Sequence, residues 1–170
     1  MFGKYKKKKK SVREPWDCEY DEIWSIEDKN TLLIAVNNWL CKKSNYGEDV
    51  KKLTFAERIF YVNMQLEAEV NNGGFLQFFF NSVGNYTNEI VTAMQEIGAD
   101  TTSKICEKAI SAFGFELPVD REKREEMLEK ATDKAESTLS ECDVEFYKDQ
   151  DNLLELNYKF VMRNRAQFIK

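Results

Sequence analysis

Residues 66–81 constrain the fold more than any other part of the chain. They read L-E-A-E-V-N-N-G-G-F-L-Q-F-F-F-N. Two asparagines and two glycines end a helical pattern, and these residue types tolerate the left-handed backbone that closes a helix. Phe75, Phe78 and Phe79 follow at i, i+3 and i+4, which places three rings on one side of a helix. The stretch predicts a helix that stops at residues 71–74 and an aromatic helix that restarts at once.

Helical periodicity extends over most of the remaining chain. Apolar residues recur every three or four positions, as one face of a helix requires. Such apolar stripes occupy residues 32–40, Phe55 to Val70, residues 90–97 and residues 105–113. Thr54 and Glu57 have the spacing of a capping box at the start of the second stripe.

Two further helices are expected after Pro118. Asp120 can cap a long helix that runs to about Leu139, and a final helix spans residues 151–168. No segment alternates apolar and polar residues as a half-buried strand does. The sequence therefore predicts an all-α, single-domain compact bundle of about seven to nine helices.

Charge is distributed unevenly along the chain. Residues 1–13 hold seven lysines and arginines, from Lys4 to Arg13, and no acid. Removing this charge of +7 from the whole-chain value of −5 leaves −12 for residues 14–170. We expect residues 1–13 to be a disordered basic tail, because they lack the apolar groups that stabilise a fold. Residues 14–170 form the single helical domain.

The residue types present exclude several classes of enzyme. The chain has no histidine, which removes Ser-His-Asp and Cys-His nucleophile systems and the H-E-x-x-H zinc helix. Its four cysteines lie far apart, without the close spacing of zinc or redox motifs. We predict no metal and no cofactor. No apolar run is long enough for a membrane span or a signal peptide, so the expected location is the cytoplasm.

Glu67 and Glu69 lie beside Asn71 and Asn72 and could form a small acidic site. Two positions apart on a helix correspond to about 200°, so the two carboxylates point to opposite sides. A catalytic pair is therefore disfavoured, and one carboxylate is expected to face solvent while the other pairs or caps. The aromatic rings that follow could stack on bases, but an acidic body repels nucleic acid. We expect them in the core or at a dimer contact.

Acidic residues provide a candidate surface for a protein partner. Five acids of the predicted long helix step about 5.4 Å along its axis, whereas duplex DNA carries one charge per about 1.7 Å. An imitation of DNA therefore needs acids pooled from several segments. Residues 116–155 hold fourteen acids against six bases. The candidate surface consists of Asp17, Glu19, Asp21, Glu22, Glu122, Glu126, Glu129, Asp133, Glu136, Asp143, Glu145, Asp149 and Asp151.

Residues 53–161 resemble a bacterial DNA-mimic protein family. The resemblance rests on E-A-E-V-N-N-G-G-F-x-Q-F-F-F-N, with support from A-M-Q-E-I-G-A, from Pro118 followed by Asp120, and from the late F-Y pair. It implies an all-helical, frequently dimeric protein. In the described mimic, an acidic surface occupies the DNA-binding face of a transcription factor. The motif residues are expected to be mainly structural: Glu67, Glu69, Asn71, Asn72, Gly73, Gly74, Phe75, Phe78, Phe79 and Asn81.

The leading hypothesis is a non-enzymatic acidic interaction protein, a DNA mimic that binds a basic partner such as a DNA-binding transcription regulator. A homodimer is also expected from the resemblance. One alternative is an adaptor whose tail, from Lys4 to Arg13, contacts nucleic acid or an anionic membrane. The last is a carboxylate enzyme that uses Asn71 or Asn72 with a divalent metal held by oxygen ligands.

Overall fold

The computed structural model describes residue 14 and residues 18–170, which contain α-helices and short 3₁₀ turns and no strand. The predicted basic tail and Asp17 lie outside the described residues. The prediction of an all-α, single-domain bundle is confirmed, with eight α-helices in the described part. They are α1 (Tyr20–Ile23), α2 (Lys29–Lys43), α3 (Phe55–Phe80), α4 (Thr87–Ile97), α5 (Asp100–Ser111), α6 (Arg121–Leu128), α7 (Asp133–Phe146) and α8 (Leu153–Arg163). The 3₁₀ turns are Val50–Lys52, Ser82–Tyr86 and Arg165–Gln167.

Helix α3 is the central element of the bundle, because α2, α4, α6, α7 and α8 all pack against it. Thr54 caps it as predicted, with Glu57 bonded back to the Thr54 amide. Its apolar stripe is buried from Ile59 onward. The prediction that the buried stripe begins at Phe55 is wrong, because the Phe55 side chain is 62% exposed. It occupies the first position of the helix and lines a surface depression beside Arg58.

The predicted break in α3 occurs at two glycines. Gly73 (φ −161°, ψ 24°) and Gly74 (φ 77°, ψ 179°) leave helical geometry, and the chain is helical again from Phe75 to Phe80. The break is shorter than the four residues predicted, so α3 is one kinked helix. Phe75, Phe78 and Phe79 have no exposed surface, and Phe79 lies 5.4 Å from Phe78 and 6.2 Å from Phe75 between ring centroids. The prediction that these rings belong to the core is confirmed.

The predicted long helix from Asp120 to about Leu139 is wrong, because the chain forms two helices there. Helix α6 ends at Leu128, and α7 begins at Asp133 after Thr132. The Thr132 hydroxyl oxygen accepts a hydrogen bond from the Ala135 amide at 3.3 Å, which caps the new helix. Leu128 is buried from α6 and Leu139 from α7, so one apolar pattern serves two separate helices.

The last helix is also shorter than predicted. Asn152 caps α8 by accepting a hydrogen bond from the Glu155 amide at 3.2 Å, and α8 ends at Arg163. The chain then makes the turn Arg165–Gln167 and places Phe168 in the core. In the part of the chain that the structure describes, no helix has both the length and the apolar composition needed to cross a bilayer.

We predict that Gly74→Ala destabilises the protein more than Gly98→Ala. Both glycines have positive φ, but a Cβ at Gly74 would lie 2.4 Å from the Asp143 carboxylate, whereas a Cβ at Gly98 meets nothing within 4 Å. Gly74 also occupies a backbone region that only glycine populates. We expect a loss of about 1 kcal/mol for Gly98→Ala and of about 3 kcal/mol or more for Gly74→Ala. Urea unfolding measures both, and equal losses would contradict the steric argument.

Candidate functional site

Helices α6 and α7 present acidic side chains to solvent. Five of the predicted surface acids are exposed there, and we call these five the acidic set: Glu122, Glu126, Glu129, Asp133 and Glu136. Because the predicted long helix is divided after Leu128, the acidic set belongs to two helices and the short link between them. The five carboxylates therefore do not follow a single helix axis.

No member of the acidic set forms an ion pair with another described residue. Several carboxylates elsewhere in the described chain have close cationic partners. Glu89 receives two hydrogen bonds from Arg58, at 2.6 and 2.7 Å, and Lys108 contacts Glu141 and Glu145. Unlike these carboxylates, the acidic set has no direct ion pair among the described residues, although Lys123, Lys130 and Lys134 are exposed close to it in sequence.

Arg124 lies within α6 but is completely buried. Its guanidinium donates hydrogen bonds to the carbonyl oxygens of Phe79 at 2.6 Å and Asn81 at 2.9 Å, at the end of α3. It also donates to the Asn85 side chain and to the carbonyls of Pro118 and Val119. Burial lowers the pKa of this guanidinium. Arg124 lies one turn before Leu128, which is also buried, so both side chains belong to the buried face of α6.

Four other candidate surface acids have internal partners. Asp149 accepts a hydrogen bond from the Leu153 amide at 2.8 Å, at the start of α8. Asp151 accepts from the amide and hydroxyl of Thr102 at 2.7 and 2.9 Å, at the start of α5. Asp143 bonds to the Phe75 amide, and Glu145 pairs with Lys108. These carboxylates stabilise helix ends and helix contacts within the protein.

The N-terminal candidates lie on or next to α1, which packs on α2. Glu19, Asp21 and Glu22 are exposed. Glu22 accepts from the Glu19 amide in a capping box, and Asp21 lies 3.7 Å from the ammonium of Lys170. These acids therefore have local partners near the chain end.

Glu69 bridges the two halves of α3 across the kink. One of its carboxylate oxygens accepts hydrogen bonds from the side-chain amide nitrogens of Gln77, at 2.7 Å, and Asn81, at 2.8 Å. Both donors belong to the aromatic half of the helix, and Glu69 belongs to the half before the glycines. Through this contact Glu69 and Asn81 connect the two halves of α3.

Helix α7 supplies hydrogen-bond partners to both sides of the kink. The Asp143 carboxylate accepts from the Phe75 amide at 2.7 Å, and the Tyr147 hydroxyl donates to the Val70 carbonyl at 2.9 Å. A helix break leaves such backbone groups without partners inside the helix. Burial raises the pKa of Asp143, and the bond from Phe75 opposes that rise.

A small polar cleft lies between this kink and the start of α8. Its volume is about 110 Å³, and its polar lining includes Glu67, Asn71, Tyr147 and Asp149. Burial raises the pKa of Glu67, and the nearby Asp149 raises it further. Glu67 and Glu69 thus point to different surroundings, as their spacing predicts, although Glu67 is half-buried rather than exposed. The exposed Asn71 and Asn72 are the remaining polar motif residues.

Chemically reactive clusters are scarce in the described residues. They contain no group of three or more cysteine, aspartate or glutamate side chains placed to share a metal ion. Cys106 and Cys142 are buried, and burial raises the pKa of Cys142 to about 11. A thiol with such a pKa is almost fully protonated near neutral pH and is a weak nucleophile.

Comparison with known proteins identifies the family. A family model described as DMP19-like protein matches residues 51–164, which is more than half of the chain. The chain belongs to the DMP19-like family. The match covers α3 to α8, and thus includes the kink, Arg124 and the acidic set, but not α1, α2 or the residues after Asn164. No curated protein and no solved structure matches the chain.

We predict that Arg124→Met strongly destabilises this DMP19-like protein. The substitution keeps much of the side-chain volume but leaves the Phe79 carbonyl without its guanidinium donor in the interior, and it removes one of the two donors of the Asn81 carbonyl. Such losses cost about 3 kcal/mol or more. Arg121→Met is the matched control, because Arg121 is exposed and makes only an i, i+4 pair with Glu125. Its expected loss is about 0.5 kcal/mol or less. Chemical unfolding of both variants measures the difference, and similar losses would refute the role assigned to Arg124.

We predict that Glu67→Gln raises the melting temperature at pH 7. The raised pKa of Glu67 means that its charged form is disfavoured in the fold, and glutamine removes that charge. The gain should be complete above the folded-state pKa. It should disappear below the ordinary value of 4.5, where Glu67 is protonated in both states. Glu126→Gln, on the exposed side of α6, should change the melting temperature little at either pH. A gain that persists at pH 3 would contradict this assignment.

Proposed function

We propose that this chain is a non-catalytic acidic protein that binds a basic, DNA-binding protein at the surface which that protein uses for DNA. The observation that carries the proposal is the acidic set. Its five exposed carboxylates have no ion-pair partner among the described residues, and the neighbouring Arg124 is turned inward. The −12 charge of residues 14–170 makes the body net negative as a whole.

The arrangement of the acidic set suits an imitation of DNA better than one straight helix would. Acids one turn apart are spaced by about 5.4 Å, which is about three times the axial charge spacing of a duplex. One row of such acids is too dilute. Division of the predicted long helix into α6 and α7 gives two helix directions, and so lets carboxylates approach a basic surface in more than one row.

Membership of the DMP19-like family supports the same function. The family resemblance implies an acidic surface that takes the place of DNA on a transcription factor, and the matched residues 51–164 include the whole acidic set. The basic partner is therefore proposed to be a DNA-binding regulator. The family does not by itself identify which carboxylates make contact, so the acidic set is our assignment for this chain.

Exposed charges of this kind act mainly on the rate of association. Complementary fields steer two proteins together, and salt screens them over about 10 Å at 0.1 M. Binding should therefore weaken strongly as salt is raised. It should also be lost in competition with duplex DNA, because both ligands would occupy one surface.

We predict that removing three charges of the acidic set, two in α6 and one in the link that follows it, abolishes capture of the partner. The variant carries Glu122→Gln, Glu126→Gln and Glu129→Gln, which remove three charges without changing side-chain length. The matched control carries Glu27→Gln, Glu96→Gln and Glu107→Gln, three exposed acids outside the acidic set. Each protein is used to capture proteins from native cell extract at 50 mM and 300 mM salt, and bound material is eluted with duplex DNA.

The expected result is a DNA-binding protein that the wild type and the control retain at low salt. The variant with three substitutions in the acidic set should not capture this DNA-binding protein. Duplex DNA should release the captured protein from the wild type and from the control. A captured protein that DNA does not displace would reject the proposal, and so would equal capture by all three proteins. Capture of no basic protein even at 50 mM salt would reject it as well.

A further inference from the structure

The last residues of the described chain lie in a cradle built by three separate elements. The segment consists of residues 167–169. Gln167 ends the turn Arg165–Gln167, and Phe168 after it has an extended backbone with φ −82° and ψ 91°. The cradle is formed by α1, the end of α2 and the start of α3. We define it by the side chains that contact the segment: Tyr20, Trp24, Lys43, Thr54, Glu57 and Phe60.

The cradle binds the main chain of this segment at three consecutive residues. The Thr54 hydroxyl donates to the Gln167 carbonyl at 2.9 Å, and the Tyr20 hydroxyl donates to the Phe168 carbonyl at 2.6 Å. At Ile169 both backbone groups are bound, because its carbonyl accepts from Lys43 at 2.6 Å and its amide donates to Glu57 at 2.9 Å. Contacts to the backbone do not depend on the side chains of the bound segment.

The cradle encloses one side chain of the segment in an aromatic pocket. Phe168 is 1% exposed, and its ring lies edge-on to Trp24 at 6.3 Å and to Phe60 at 6.1 Å between centroids. The next residue, Ile169, is 50% exposed. The cradle thus has the two components of a peptide-binding site, which are main-chain hydrogen bonds and one pocket that selects a side chain.

The polar groups of the cradle are held in place by contacts that do not involve the segment. Glu57 has no exposed surface, and both of its oxygens lie 2.9 Å from the Lys43 ammonium. Glu57 also accepts from the Thr54 amide at 2.8 Å as part of the cap of α3. Lys43 lies over the ring of Trp39, 4.9 Å from its centroid. A site with groups fixed in this way needs little rearrangement to bind.

We propose that this cradle is a peptide-binding site that the chain fills with its own residues 167–169. Its ligand class is an extended peptide with a phenylalanine side chain and free backbone groups on both sides of it. This inference is independent of the proposed function, since the cradle shares no residue with the acidic set. Residues 18–50 and 165–170 lie outside the family match, so the complete cradle is a feature of this chain beyond the matched region.

Attachment of the segment to α8 makes the bound state dominant in the intact chain. A short connection gives an effective concentration in the millimolar range, so a free peptide competes poorly with the attached one. Removing the phenylalanine ring from the attached segment should weaken that competition. A peptide supplied in solution should then enter the cradle.

We predict that Phe168→Ala in the full chain creates measurable binding of an acetylated and amidated peptide, Arg-Ala-Gln-Phe-Ile-Lys. Isothermal titration should give at least tenfold tighter binding to this variant than to the wild type. A peptide with alanine in place of phenylalanine should bind neither protein. Ile169→Ala is the matched control, because that side chain is half exposed and its loss keeps the cradle filled, so its binding should equal that of the wild type.

Circular dichroism establishes that the variant is folded. If Phe168→Ala does not fold, Phe168→Leu replaces it, since leucine keeps apolar volume while losing the edge-on ring contacts. Failure of the folded variant to bind the peptide would overturn the proposal. So would equal binding of the phenylalanine and alanine peptides. Neither result depends on the acidic set, so the proposed function is tested separately.

Discussion

The kink at Gly73–Gly74 is the constraint around which the bundle is organised. A break in the central helix leaves an amide and a carbonyl in the protein interior, where unpaired backbone groups are strongly unfavourable. Two residues at the end of α7 pair these groups. Asp143 accepts a hydrogen bond from the Phe75 amide, and Tyr147, directly after α7, donates one to the Val70 carbonyl. These two residues lie four positions apart on one face of α7. The break therefore fixes the position and rotation of α7 as well as the direction of the aromatic half of α3.

Some acids of the chain bind backbone amides inside the protein, whereas those of the acidic set are exposed and have no such contact among the described residues. Asp143, Asp149 and Asp151 lie close together in sequence, yet each accepts a hydrogen bond from a backbone amide at the start of a helical segment. A carboxylate there balances the partial positive charge of the helix end. Such acids are components of the fold, and they contribute less to a surface for a partner. The proposed recognition surface therefore rests on the exposed acidic set rather than on these three carboxylates.

Sequence patterns identified the features that depend on near neighbours. The Thr54–Glu57 cap, the glycine break and the buried face carrying Phe75, Phe78 and Phe79 all follow from residues within one or two turns. Partners far apart in sequence were not found: the Asp143–Phe75 contact spans 68 positions. The division between α6 and α7 was missed although Thr132 is a local cap, because the apolar spacing continues through the link without interruption. Glu67, by contrast, was correctly separated from Glu69 by angle alone, while its half-buried position in the cleft depends on residues distant in sequence, such as Tyr147 and Asp149.

Burial of Arg124 explains why the acids of α6 face outward. Phe79 and Asn81 expose carbonyls at the end of α3, where a helix carries partial negative charge, and the guanidinium satisfies both. A rotation of about 100° per residue then determines the rest of α6. Leu128 lies about 40° from Arg124, whereas Glu122, Glu126 and Glu129 lie about 140° to 200° away. The same buried cation that closes the end of the central helix thus directs three carboxylates to solvent. A structural contact in the interior therefore sets the geometry of the candidate binding surface.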